Sequence, residues 1–488
     1  MQKLNRTTAQ ISSPYPIRIL QFGGGNFLRG FVDWIVEVYN KKNNSAWGVL
    51  VIKPTEKGDY DQWKEQDGLF HVLTRGIKHG QLLEEQTLVK CISQIIHPYK
   101  EWTAFLQSAE NVGIKYIISN TTESGIHFSE SDRFEDKPPH EFPAKLSLWL
   151  YHRFRHFRGA SEAACVFIPT ELINQNGSAL KKTILQFASH WQLEDSFKEW
   201  IIEHNIFCNT LVDRIVPGVA RESLPEVWNQ IGFEDQMVTQ GEPYHFWAIE
   251  APPSVRVDFP IDKIGLNIVY TDDLSPFRTI KVRILNGAHT SMVPVGYLYG
   301  IETVRAAVCH PILGKYIQKV IFEEIIPGLD MPEAQLHQFA GEVLDRFKNP
   351  FILHQLISIA LNSTSKFTTR LLPSILSFYQ KRGKLPKYLV FSMAAMIHFY
   401  RGKRNGEMIP LKDDPSVIAF LQQLWAQCDG TDTGFANLAE NVLKWEKNWR
   451  QDLTAIEGFQ EELQRHLIQI DSFGMEAAVR RLINHPES

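Results

Sequence analysis

The stretch "IRILQFGGGNFLRGFVDWIVEVYNKKN", residues 17 to 43, constrains the fold more than any other. Six mostly apolar residues run into three consecutive glycines. A segment with apolar residues at helical spacing follows, and it ends in Lys and Asn as helix termini often do. "WGVLVIKP" then reads as a second buried strand. Strand, glycine turn, helix, strand is the opening of a Rossmann unit, so the expectation is an α/β, doubly wound, Rossmann-like sheet. "VGIKYIISNTTESG" and "AACVFIPTELINQNG" repeat the pattern of a buried strand emptying into a polar loop. Ligands bind beyond the carboxyl ends of such strands, so both loops are expected to line a site.

The character changes near "TDDLSPFRT", residues 271 to 279. Beyond it helical periodicity dominates, clearest in "YIQKVIFEEIIPGL", "PFILHQLISIALNS", "YLVFSMAAMIHFYRG" and "SVIAFLQQLWAQC". The expected division is a Rossmann domain over residues 1–275 and a mostly α-helical domain over 276–488. With 44% hydrophobic and 22% charged residues, the chain can bury large cores without metal or disulfide staples. A net charge of -4 gives no basic excess for nucleic acid. The five cysteines are scattered, without a CxxC pair or a Cys/His cluster, which fits a reduced, cytoplasmic protein. The polar start "MQKLNRTTAQISSPYP" lacks a signal core, and no window of about 18 apolar residues reads as a membrane span.

Within "FGGGNFLRG", Gly23 and Gly25 supply a G-x-G. The first permits a tight turn, and the second lets backbone approach a pyrophosphate at the positive end of the following helix. Leu28 holds the usual third-glycine position. Asn26, Phe27 and Arg29 complete the candidate cofactor loop; Arg29 either reaches a phosphate or caps a surface. Asn120, Thr121, Thr122 and Glu123 follow a strand and suit the ribose or nicotinamide edge, with loop capping as the alternative. The second strand lacks the expected acidic residue: Lys53, Pro54 and Thr55 stand there. The residues therefore leave NAD or NADP open, and Lys53 even suits a 2'-phosphate.

"KVRILNGAHT", residues 281 to 290, puts an amine, an amide and an imidazole into an apolar segment. At 100° per residue Lys281, His289 and Asn286 fall at about 0°, 80° and 140°, one broad helix face. A desolvated Lys can act as general base, an amide can hold an alkoxide or carbonyl oxygen, and an imidazole can orient a hydroxyl. Together they are the parts for moving a proton at an alcohol while hydride leaves its carbon. The competing reading is a helix edge whose polar side faces solvent. Asp213, in "LVDRIVP", either accepts hydrogen bonds from substrate hydroxyls or pairs with Arg214.

The motif "KVRILNGAH" resembles the K-x-R-x-L-N-x-x-H signature of the mannitol dehydrogenase family of polyol-specific long-chain dehydrogenases. "FGGGNFLRG" is similar to its G-x-G-x-F-x-R opening, and "CNTLVDRIVPG" to its N-S-x-V-D-R-I-x-P block. The resemblance implies metal-free hydride transfer, with Lys281 as general base and Asn286 and His289 as its partners at the reacting oxygen. "SNTTESGI", "PTELINQNG", "LNGAHTSMVPV" and "FYRGKRNGE" are similar to the family branch that acts on hexuronic acids. That branch implies NAD and a small sugar-acid substrate, whose carboxylate needs cations. Lys366 matches a family lysine that contacts substrate, and Arg370 lies one turn later. His354 reads as a packed helix residue. Other members carry C-D-N-x-x-x-N-G where this chain has "TELINQNG", so Leu172, after Glu171, replaces an amide that holds the reacting oxygen. Asn286 then serves alone. The rivals are the same chemistry on a related sugar acid or polyol, and a nucleotide-binding protein without catalysis. Retention of Lys281, Asn286 and His289 argues against the second.

Overall fold

The computed structural model describes residues 1–122, 124–404 and 406–484. The chain divides into two compact units. The first comprises Met1–Gly76 and Leu82–Ser275; the second comprises Pro276–Ser488 together with Ile77–Gln81, the tip of a hairpin.

The first unit is built on six parallel strands: β1 (Ile17–Phe22), β2 (Gly48–Ile52), β3 (Ile92–Ile96), β4 (Tyr116–Ser119), β5 (Val166–Pro169) and β6 (Ile206–Phe207). Their order in the sheet is β3-β2-β1-β4-β5-β6, so the winding reverses between β1 and β4. Both faces are covered, which is why these strands read as continuous apolar runs. Ile19, Val49, Val51 and Ile118 face Phe31 and Ile35 on one side. Leu20, Leu50, Ile52 and Ile117 face Leu146, Trp149, Leu180 and Ile184 on the other. The covering helices are α1 (residues 26–43), α2 (Phe142–Phe157), α3 (Asn176–His190) and α4 (Asp195–Glu203). α1 stops at Asn44, which takes a left-handed conformation (φ 48°) and donates its N–H to Asn40 O. A smaller sheet joins β7 (Asn209–Asp213), β8 (Phe246–Glu250) and β9 (Ile268–Thr271).

The second unit is helical around one core. α5 (residues 275–299), α6 (Glu333–Phe347), α7 (Ser363–Arg370), α8 (Leu372–Arg382), α9 (Lys387–Phe399) and α10 (Phe459–Asn484) carry most of it. Every residue of α9 from Tyr388 to Phe399 is buried, as expected of a helix that is mostly apolar on every side. It packs between α5 and α10.

One apolar segment departs from its expected helix. In "PFILHQLISIALNS" only Leu356–Ile359 forms a short helix. The preceding residues are not helical, because their backbone is used sideways: Val304 N donates to His354 O (2.9 Å) and Leu356 N to Glu302 O (2.8 Å). Asn349 Oδ1 accepts from Phe351 N (3.0 Å), which turns the chain out of α6 at Pro350. His354 is therefore not a helix residue.

Candidate active site

At the carboxyl end of β1 the chain must turn sharply into α1. Gly23 has φ 110°, and its N–H bonds Ile52 O (2.9 Å). A Cβ there would lie 3.0 Å from Leu28 Cδ1, so the turn demands glycine. The same contact explains Leu28 in the third-glycine position: its buried side chain fills the space beneath the turn. Gly25 is different. Its φ is -67°, and a Cβ would meet no atom within 4 Å. No side chain caps the helix that starts at Asn26. Backbone amides at a helix N-terminus, with space before them, suit a phosphate.

Arg29 braces this loop. Its Nη1 donates to Gly24 O and its Nη2 to Asn26 Oδ1, both at 2.7 Å, with the guanidinium over Trp63. Burial pushes its pKa down. Asn26 Oδ1 also accepts from Thr239 Oγ1 (3.2 Å), and Phe27 stacks on Phe31 at 5.0 Å. Lys53 is turned inward at the end of β2. Its amine donates to Lys57 O (2.6 Å), Thr55 Oγ1 (2.9 Å) and Thr55 O, which uses its three N–H groups within its own loop.

The loops after β4 and β5 are tied together. Asn120 Nδ2 donates to Thr170 O (2.9 Å), and Thr121 gives both its N–H (3.1 Å) and its hydroxyl (3.3 Å) to Glu171 Oε1. Glu171 is buried, and desolvation raises its pKa against the bonds from Thr121. Thr122 is exposed, with its hydroxyl on Ser124 Oγ (3.2 Å); Glu123 lies outside the described residues. Leu172 is 64% exposed and brings no polar atom in place of an amide. Glu171 has a role the sequence did not announce, since its partners lie some fifty residues away.

Asp213 ends β7, opposite Phe246, and is nearly buried. Arg214 spends its guanidinium on Glu242 O (2.9 Å), Gly30 O (2.5 Å) and Thr74 Oγ1 (3.1 Å), stacked over Trp34. Those partners account for the guanidinium without Asp213.

In the second unit the segment 281–290 lies in α5, but not as a regular α-helix. Lys281–Asn286 form a π turn between Ser275–Ile280 and Gly287–Tyr299. A π turn absorbs one extra residue. The steps from Lys281 to Asn286 and His289 then behave as about four and seven α-helical residues, or about 40° and -20°. The broad face expected from constant spacing becomes a narrow stripe. All three side chains are half-buried, while Ile284, Leu285, Gly287 and Ala288 between them are buried. Gly287 approaches Ile325 and Leu371, so the small residues serve helix packing. Arg283 points elsewhere, its Nε donating to Ser374 Oγ (2.6 Å).

His289 packs against Phe347 with the rings tilted (4.4 Å, 36°) and meets His354 edge to face (5.2 Å, 76°). Thr290 Oγ1 donates to Asn286 O (2.9 Å) and accepts from Arg370 Nη1 (3.4 Å). Arg370 is thus tied to the residue beside His289. Lys366, one turn earlier on α7, donates to Ile359 O (2.8 Å). Burial first, then the Arg370 charge, lowers its pKa. Among the described residues no group of three or more His, Cys, Asp or Glu side chains is placed to hold a metal ion, and no helix is long and apolar enough to cross a membrane.

A glycine turn at a Rossmann switch point marks the first unit, and an amine, an amide and an imidazole along one helix mark the second. Residues 17–263 match the mannitol dehydrogenase Rossmann domain and residues 273–471 the mannitol dehydrogenase C-terminal domain. The chain belongs to the mannitol dehydrogenase family. It is 42% identical over 480 residues to altronate oxidoreductase of Yersinia enterocolitica, covering 98% of this chain and 99% of that one. Altronate oxidoreductase of Bacillus subtilis is 42% identical over 481 residues, covering 99% and 98%. Among solved structures, a D-sorbitol dehydrogenase in substrate-free form superposes with a TM-score of 0.79 at 20% identity, covering 98% of this chain and 100% of that one. The Pseudomonas fluorescens mannitol 2-dehydrogenase complex with NAD and D-mannitol gives 0.65 at 20% identity, covering 99% and 100%. These two share the fold.

Proposed function

We propose that this protein is a cytoplasmic, NAD-dependent oxidoreductase that interconverts D-tagaturonate and D-altronate in hexuronate catabolism. The observation that carries the chemistry is the stripe of Lys281, Asn286 and His289 along the π turn of α5. The substrate rests on full-length relatives at about 42% identity that bear the name altronate oxidoreductase.

The proposal assigns the dinucleotide to the first unit. Gly23 makes the turn, Gly25 leaves room for the pyrophosphate, and the amides at the start of α1 face its charge. Lys53 has its donors in its own loop, which fits a cofactor without a 2'-phosphate. A dinucleotide held there would supply the hydride that the ketone carbon takes up. Protonated Lys281 gives its proton to the carbinol oxygen as negative charge develops on it. Asn286 and His289 hold that oxygen through their side-chain N–H groups. In the oxidative direction neutral Lys281 takes the proton back. Asp213 accepts from substrate hydroxyls, and Lys366 and Arg370 face the carboxylate.

The test is Lys281→Ala. Turnover is expected to fall at least about a thousandfold, with NADH affinity unchanged. A variant that binds NADH and still turns over normally would remove Lys281 from the chemistry.

A further inference from the structure

The hexuronate reading leaves one polar group around the stripe without a role. His354 was set aside by its sequence context, yet its ring meets His289 at 5.2 Å. Its position is fixed by backbone. His354 O accepts from Val304 N (2.9 Å), and the next residue, Gln355, forms a bridge with Thr303. His289 thus contacts two rings of different chemistry. Phe347 is buried and apolar. His354 is half-buried and keeps ring nitrogens able to bond. A wall that only packs His289 needs no second imidazole; another Phe would serve.

The ketone and the carboxylate of a 5-keto hexonate sit at opposite ends of a short carbon chain. If His289 holds the oxygen at the ketone end, groups one ring-width from His289 lie within reach of the acid end. We propose that His354 is a specificity-determining residue that donates a hydrogen bond to the substrate's carboxylate, alongside Arg370, and so favours a sugar acid over the neutral polyol. Burial lowers the pKa of His354, so near neutral pH the ring is uncharged and offers one N–H. A neutral donor to a carboxylate adds affinity without the cost of burying a further cation beside Arg370 and Lys366. The inference rests on the hexuronate reading of the same site.

The experiment is titration calorimetry on NADH-loaded protein with D-altronate and with altritol, the polyol that carries a hydroxymethyl in place of the carboxylate. The parent protein is expected to bind altronate more tightly. His354→Phe keeps the ring packing and removes the donor. It is expected to weaken altronate about tenfold while altritol changes by less than about twofold. His354→Asn restores a donor and recovers part of the loss. Unchanged altronate affinity in the Phe variant overturns the proposal, as does an equal loss on both ligands, which would mark His354 as a wall. A parent protein that binds the two ligands equally overturns the hexuronate reading, and the role of His354 with it.

Discussion

A side chain at residue 25 and one at residue 23 have opposite consequences. Gly25 already has an ordinary φ of -67°, and an added Cβ meets nothing within 4 Å. Gly25→Val is therefore expected to cost folding no more than about 1 kcal/mol. It fills the space before the α1 amides, so NADH affinity is expected to drop at least about tenfold, read by fluorescence titration. Gly23→Ala forces a side chain into φ 110° against Leu28 and is expected to cost about 1–3 kcal/mol in urea unfolding. A Gly25 variant that binds NADH normally would detach the cradle from the cofactor. Glycine needs of this kind are legible in sequence because no other residue meets them. Arg29 and Lys53 were not legible in the same way. Whether a cation reaches a ligand or its own loop depends on where the carbonyls of Gly24, Thr55 and Lys57 point, and that is settled only once the loop has closed.

At the scale of elements, α1 carries a buried acid that links pH to stability. Asp33 ends the π turn Arg29–Asp33, fully buried, with Gln21 Nε2 at 3.4 Å and the Arg29 charge nearby. Desolvation outweighs both and pushes its pKa up to about 7. In the unfolded chain Asp33 ionises near pH 3.9. The stabilising neutral form is thus fully favoured below that value, and its contribution is lost as pH rises towards about 7. Asp33→Asn keeps a neutral side chain of the same shape, so it is expected to gain about 1–3 kcal/mol relative to the parent at pH 8 and little at pH 4, by urea unfolding. An equal effect at both pH values would mean Asp33 does not titrate in this window. The strands and α1 were legible because their apolar patterns are local. The π turn in α5 was not. Spacing arguments assume 100° per residue throughout, and a single inserted residue leaves no mark in composition. Constant spacing spread Lys281, Asn286 and His289 over a broad face that the turn narrows. The run before Leu356 departs from its expected helix for a related reason. Its apolar residues suit a helix, but Glu302 and Val304 claim its backbone from a distant segment.

For the whole molecule, the two units divide the labour by the kind of structure each can build. A parallel sheet with helices on both faces leaves its ligand site at the switch between β1 and β4, where Gly23 and Asn120 stand. A helical unit around α9, buried from Tyr388 to Phe399, can present a rigid stripe of polar groups on α5. Neither fold alone specifies a substrate. The most direct measurement is NADH oxidation by the purified protein, followed by absorbance, with D-tagaturonate, D-fructuronate and D-fructose in parallel. Rapid oxidation with tagaturonate, well above the other two, is the expected result. Preference for fructuronate or fructose would contradict the substrate while keeping the chemistry, and NADH binding without turnover of any of the three would contradict the account of the Lys281, Asn286 and His289 stripe itself.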